Sequence, residues 1–122
     1  MIKLAIIDDE VSSIKMLQDG LSANKKFQIT TFTNPATAVG AIRPKGVDVV
    51  LCDIVMPQMD GIETLEKLKE KDPSLIVIMM TAQSTLDRVL DSHKIGADHY
   101  ILKPFGNISE IEKKILALVK AR

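Results

Sequence analysis

The sequence predicts an α/β fold, a doubly wound five-stranded parallel sheet with helices on both faces. Three observations carry that prediction. Five short apolar runs, rich in aliphatic and β-branched side chains, recur along the 122 residues. Between them lie stretches whose apolar residues repeat at helical spacing, so strand and helix patterns alternate. The length matches one domain of about 100–150 residues, able to bury a single core, so one domain over residues 1–122 and no second one is expected.

Leu4-Ala5-Ile6-Ile7 is the first strand, and it ends without a gap in three acids, Asp8-Asp9-Glu10. Ile14, Leu17 and Leu21 then recur at helical spacing, which starts the first helix at Ser12 or its neighbours. Phe27 to Phe32 mixes apolar and polar residues, the pattern of a less buried strand at or near a sheet edge. Asn34-Pro35 reads as an N-cap followed by proline at the first helical position, where its missing N–H costs nothing. Ala36, Val39 and Ile42 continue that second helix, and Pro44 and Gly46 close it.

Val47 to Cys52 is the third strand, apolar on both faces as a strand between two helical layers must be. It delivers Asp53 into a turn reading Met56-Pro57-Gln58-Met59-Asp60-Gly61. A third helix follows from Gly61, with Ile62, Leu65 and Leu68 inward, and Pro73 stops it. Leu75 to Met80 is the longest apolar run, a central strand ending at Thr81-Ala82. A fourth helix starts near Ser84, carries Leu86, Val89, Leu90 and His93 on one side, and ends at Gly96, suited to a left-handed C′ position. Tyr100-Ile101-Leu102 is the last strand, terminated by Lys103-Pro104. Ser109 and Glu112 offer a capping box for a final helix faced by Ile111, Ile115, Leu118 and Val119. Right-handed crossovers leave few topologies for this alternation, and the flavodoxin-like order 2-1-3-4-5 is the one expected.

Sixteen basic and sixteen acidic side chains give a formal net charge of zero, so no overall field draws the chain to nucleic acid or to a membrane. Cys52 is the single cysteine, which excludes an intrachain disulfide and fits a reducing compartment. The apolar run at the N-terminus is too short for a signal peptide or a membrane span, and a cytoplasmic location is expected.

In an open parallel sheet, ligands bind outside the carboxyl ends of the strands. That rule gathers Asp8 and Asp9 after strand one, Asp53 after strand three, Thr81 after strand four and Lys103 after strand five. Each residue alone has an ordinary structural reading, as a helix cap, a strand-end residue or a solvated charge. Together they put three carboxylates on one edge, where each close pair repels by about 4 kcal/mol at an effective dielectric near 20. The site therefore needs a cation or raised pKa values. All-oxygen donors with room for water favour Mg²⁺. A carboxylate, a lysine, a hydroxyl and a hard cation are the parts for phosphoryl transfer to Asp53, with Lys103 neutralising phosphate oxygens and Thr81 donating a hydrogen bond to one.

Asp8-Asp9, Asp53-Ile54-Val55-Met56-Pro57, Asp60-Gly61, Thr81-Ala82 and Lys103-Pro104-Phe105 together resemble the receiver domain of two-component response regulators, of the kind found alone in chemotaxis regulators. The likeness runs from end to end. It implies phosphorylation of Asp53 by a phosphohistidine on a histidine kinase or phosphotransfer protein. Mg²⁺ would be held by Asp9, Asp53 and the backbone carbonyl of Val55, and by Asp8 mainly through water. The resemblance also implies a cis Lys103-Pro104 peptide, a phosphate contact from the Ala82 backbone, and Thr81 and Tyr100 as switch residues. The fourth helix, fifth strand and last helix would then present a changed surface to a downstream partner or output domain, with a phosphorylation-dependent dimer as a further form. Catalysis is expected only of the domain's own phosphorylation and dephosphorylation. Ile14 or Met16 is expected at the rim of the first helix, where the family docks its kinase.

Three other readings compete. A haloacid dehalogenase-type phosphatase also uses an aspartyl nucleophile and Mg²⁺, but needs a second acid where Val55 stands. A flavodoxin-like flavin binder wants a phosphate loop where Asp8-Asp9-Glu10 would repel one. A phosphorylation-independent interaction module with the same fold has no need of the full set Asp8, Asp9, Asp53, Thr81 and Lys103.

Overall fold

The computed structural model describes residues 1–82, 85–86 and 96–122. The elements run β1 (Ile2–Ile7), α1 (Val11–Ser22), β2 (Phe27–Phe32), α2 (Pro35–Ala41), β3 (Val49–Asp53), α3 (Gly61–Lys71), β4 (Ile76–Thr81), β5 (His99–Leu102) and a C-terminal helix (Ile108–Ala121). All four strand pairings are parallel, in the order β2-β1-β3-β4-β5, as expected.

Period-two alternation builds two cores on one sheet. Leu4 and Ile6 of β1, Val49 and Leu51 of β3, and Ile76, Ile78 and Met80 of β4 point to one face. There they meet Ile14, Leu17 and Leu21 of α1 and Ile111 and Ile115 of the C-terminal helix. Ala5, Ile7, Val50, Cys52, Val77 and Met79 point to the other, against Ala38 of α2 and Leu65 and Leu68 of α3. β3 and β4 are buried along their whole length because both faces are covered, whereas the edge strand β2 is only partly buried. Gly20 makes the close packing of α1 on the C-terminal helix feasible: a Cβ there would lie 2.6 Å from Ile108 Cγ2.

The local signals mostly act as read. Asn34 Oδ1 accepts from Ala36 N at 2.9 Å and Thr37 N at 3.3 Å, with Pro35 at the first helical position. Asp60 Oδ1 accepts from Glu63 N at 2.8 Å and starts α3. α1 begins at Val11, beside Ser12 as expected, with Glu10 at its N-cap position. Three local expectations need correction. α2 ends at Ala41, because Ile42 turns to extended backbone and buries its side chain in the core. β3 begins at Val49 and includes Asp53, since pairing with β1 and β4 starts and stops there. The capping box at Ser109 and Glu112 does not form. Asn107 caps instead, accepting from Ser109 N at 2.9 Å, and Glu112 is buried, where it accepts from Asn24 Nδ2 at 2.6 Å.

The expected fourth helix lies outside the described residues except for Thr85 and Leu86, whose N–H groups both donate to the Ala82 carbonyl, and its terminal Gly96. Gly96 has φ +81°, the left-handed conformation anticipated for it.

Candidate functional site

Strand register decides which side chains meet at the carboxyl edge of the sheet. Ile7 pairs with Cys52, Asp53 with Met80 and Thr81 with Leu102, so the residues that leave β1, β3, β4 and β5 stand side by side. Backbone hydrogen bonds hold them just past the strand ends. Asp8 N donates to Phe32 O at 3.0 Å, Ile54 N to Met80 O at 3.0 Å, and Lys103 N to Thr81 O at 2.8 Å. The Lys103-Pro104 peptide is cis.

The carboxylates converge on Lys103. Its Nζ lies 2.7 Å from Asp8 Oδ2 and 3.4 Å from Asp53 Oδ2, and both acids are buried. Glu10 is the acid that sequence reasoning did not assign to the site: its Oε1 lies 3.1 Å from the same ammonium. Asp8, Glu10 and Asp53 each place a carboxylate oxygen within 4.8 Å of the others. Asp9 is exposed and lines the adjoining cavity, outside that trio. The long side chain of Glu10 gives it a reach that residue spacing alone does not reveal.

The turn after β3 fixes Asp53. Val55 N approaches its Oδ1 at 3.4 Å, and Gly61 N donates to Ile54 O at 2.7 Å. A Cβ on Gly61 would sit 2.2 Å from the Asp53 carbonyl oxygen and 2.5 Å from Ile54 Cα, so only glycine allows this approach. Val55 itself is exposed at the mouth.

Burial raises the pKa of Asp53, the charge of Asp8 adds to the rise, and Lys103 opposes it; the carboxyl is left at about 6. For Lys103, burial favours the neutral amine. The hydrogen bond to Asp8 and the charges of Asp8 and Asp53 more than reverse that effect, and the net shift is upward. The neighbouring Cys52 thiol is pushed up by burial first and by Asp53 next, and it is therefore inert as a nucleophile or metal ligand.

A cavity of about 630 Å³ opens over Asp53, lined by Asp9, Glu10, Ser13, Met16, Val55, Thr81, Ala82, Thr85, Lys103, Pro104 and Phe105. Thr81 and Ala82 thus reach the site as expected. Of the two rim candidates, Met16 lines the cavity and is half exposed, whereas Ile14 is core. Tyr100 packs, partly buried, against the core on the α2 and α3 face. His99 lies at the start of β5, away from the carboxyl edge; His93 is outside the described residues.

The family model for the response regulator receiver domain matches residues 4–116. The chain belongs to the response regulator receiver domain family. Among relatives of this receiver domain, NtrC of Escherichia coli K12, described as a DNA-binding transcriptional regulator, is 41% identical over 100 residues, 82% of this chain and 21% of that protein. The transcriptional regulatory protein ZraR of Klebsiella oxytoca is 38% identical over 103 residues, 84% of this chain and 23% of that protein. The receiver domain thus spans about a quarter or less of the length of these relatives. Two solved structures share its fold. The receiver domain of NtrX from Brucella abortus has a TM-score of 0.87 at 22% identity, covering 98% of this chain and 99% of that one. A CheY-like receiver domain from Methanospirillum hungatei has a TM-score of 0.84 at 26% identity, covering 98% and 95%.

The Mg²⁺ that the family implies can be tested against these donors. The acids that would hold it, Asp8 and Asp53 in the cluster and Asp9 on the cavity lining, are all carboxylates, and neither His nor thiolate is among them, a set that suits a hard divalent cation. A buried acid with a raised pKa beside a second buried acid is also a place where positive charge is needed. The receiver domain's residues fit the ion. No helix among the described residues is long and apolar enough to cross a membrane.

Proposed function

We propose that this receiver domain is the phosphoacceptor of a two-component system and takes a phosphoryl group on Asp53 from a phosphohistidine of a histidine kinase or phosphotransfer protein. The observation that carries the reading is the ammonium of Lys103, held 2.7 Å from one buried carboxylate and 3.4 Å from a second that opens on a cavity. A structural ion pair has no need of that second acid or of the opening. In the transfer, an Asp53 carboxylate oxygen bonds to phosphorus as the bond from phosphorus to the donor imidazole nitrogen breaks. The electron pair leaves with the imidazole, which takes a proton from solvent.

The residues around Asp53 divide that step among them. Burial and the Gly61 turn hold Asp53 in one orientation, so little freedom is lost on reaction. Lys103 balances charge on the transferred phosphoryl oxygens, and Thr81 and the Ala82 backbone, which line the same cavity, offer hydrogen bonds to them. Asp8, Asp9, Asp53 and the Val55 carbonyl would hold Mg²⁺. When bound, the ion supplies positive charge against the phosphoryl oxygens. Phosphorylation adds about one negative charge and new acceptor oxygens, enough to bias a two-state surface through Thr81 and Tyr100 toward a downstream partner or output domain. The cytoplasm, where kinase and thiol chemistry agree with the single buried Cys52, is the proposed location.

The test is uptake of phosphate from acetyl phosphate. The expected product is an acyl phosphate labile to hydroxylamine, formed with Mg²⁺ and not in its absence, and lost in Asp53→Asn. Uptake that persists in Asp53→Asn would refute the assignment.

A further inference from the structure

Glu10 is the N-cap of α1, yet its side chain makes no capping hydrogen bond. The short carboxylate of an Asp at an N-cap accepts from the free N–H groups of the first helical turn, whereas Glu is not among the favoured caps. The carboxylate of Glu10 is directed away from those N–H groups, accepting from Lys103 Nζ at 3.1 Å, while Asp8 Oδ1 takes the Glu10 backbone N–H at 2.9 Å. Two carboxylates, those of Asp8 and Glu10, therefore accept hydrogen bonds from one ammonium, and Asp53 stands 3.4 Å from it as an ion pair. They are not equivalent. The Asp8 and Asp53 side chains are 0% and 5% exposed, whereas that of Glu10 is 58% exposed. Glu10 alone of the three can exchange Lys103 for water at little cost.

We propose that Glu10 is a positioning residue that acts through Lys103, holding its ammonium toward the cavity mouth and competing for it with the phosphoryl group that reaches Asp53. The inference rests on the reading of Asp53 as phosphoacceptor and adds to it a residue that sets how readily the lysine is released. The contact spans 93 residues of sequence. It joins the N-terminus of α1 to the end of β5, the two places between which the cavity opens.

The experiment compares the wild-type chain with Glu10→Gln and Glu10→Asp, all with intact Asp53. It measures the rate of phosphoryl uptake from acetyl phosphate with Mg²⁺, the Kd for Mg²⁺, and the side-chain ammonium NMR signal of Lys103 in metal-free protein. Glu10→Gln is expected to take up phosphate about two- to fivefold faster, the range that an exposed ion pair commands. Its Mg²⁺ affinity should stay within about twofold, and its Lys103 signal should broaden as the ammonium exchanges faster with water. Glu10→Asp, one methylene short of the lysine, should match Glu10→Gln. An unchanged Lys103 signal or uptake no faster than wild type would overturn the proposal. Wild-type behaviour in Glu10→Asp would assign the effect to net charge at the mouth rather than to the contact. A tenfold weaker Mg²⁺ affinity in Glu10→Gln would make Glu10 a ligand instead. Absence of uptake in all three proteins would overturn the Asp53 reading itself, and the proposal with it.

Discussion

Replacing Gly61 by alanine tests how tightly the turn after β3 is tied to Asp53, the proposed phosphoacceptor. The added methyl would lie 2.2 Å from the carbonyl oxygen of Asp53, 2.5 Å from Ile54 Cα and 2.9 Å from the Asp53 carbonyl carbon. Real Cβ atoms essentially never come within 3.0 Å of such neighbours, so the main chain at Asp53 must move by most of an ångström. All three obstacles are backbone, and the strand behind them is paired on both sides, so no side chain can yield. Overpacking of this kind costs about 1–3 kcal/mol, and the upper end applies here. For a chain of this size, about 3 kcal/mol corresponds to a fall in Tm of roughly 8–15 °C. Gly40 provides the control. It lies in α2 with nothing within 4 Å of its own added Cβ, and alanine there should stabilise by about 0.4–1 kcal/mol through the unfolded chain and helix propensity. Circular dichroism melts of both variants give the comparison. Gly61→Ala should also lose most phosphoryl uptake, because its displaced backbone carries Asp53. A Gly61→Ala protein melting within 2 °C of wild type, or a Gly40→Ala protein destabilised equally, would refute the reasoning.

Two further outcomes concern groups away from the reacting atoms. Asp72 accepts from Ser74 Oγ at 2.6 Å, Ser74 N at 3.1 Å and Lys45 N at 2.9 Å, and the Ser74 hydroxyl first and the Lys45 backbone next hold its carboxyl below the usual range. Its contribution is therefore complete above the unfolded value of 3.8 and lost as pH falls through the lower folded value. Asp72→Ala should cost about 1–3 kcal/mol at pH 7 in urea unfolding, and the gap to wild type should narrow below about pH 4; a gap constant down to pH 2.5 would count against this account. Cys52, fully buried with its thiol pKa raised, should react with an aromatic disulfide reagent only as fast as the protein opens. Labelling in native buffer as fast as in urea would contradict its placement.

The parts of the fold that were legible in sequence are those that periodicity and strand ends encode. Runs apolar on both faces announced β3 and β4 as central, and mixed Phe27 to Phe32 announced an edge; both signals reflect burial, which the sheet order then satisfies. Asp8, Asp53, Thr81 and Lys103 were legible as a site because each is a polar residue at the exit of an apolar run. Glu10 was not, since a long side chain chooses among partners by tertiary distance, and its partner stands 93 residues away. The same reason misled the reading of Ser109 and Glu112. Their spacing is that of a capping box, but Asn107 is better placed to cap, and Asn24 and Lys26 draw Glu112 to the α1 side of the helix.

The bond between Lys103 and Asp8 joins residues 95 apart in a chain of 122. Neither end of it can be in place until β1 has found β3, β3 has found β4, and β5 has closed on β4. Loop closure over such distances is entropically costly and comes late. A nascent or damaged chain that lacks its last strand therefore has an aspartate but no counter-ion beside it. The ion pair at the centre of the candidate site is thus completed only with the last strand, so a fold without β5 holds the acids of that site without the lysine that balances them.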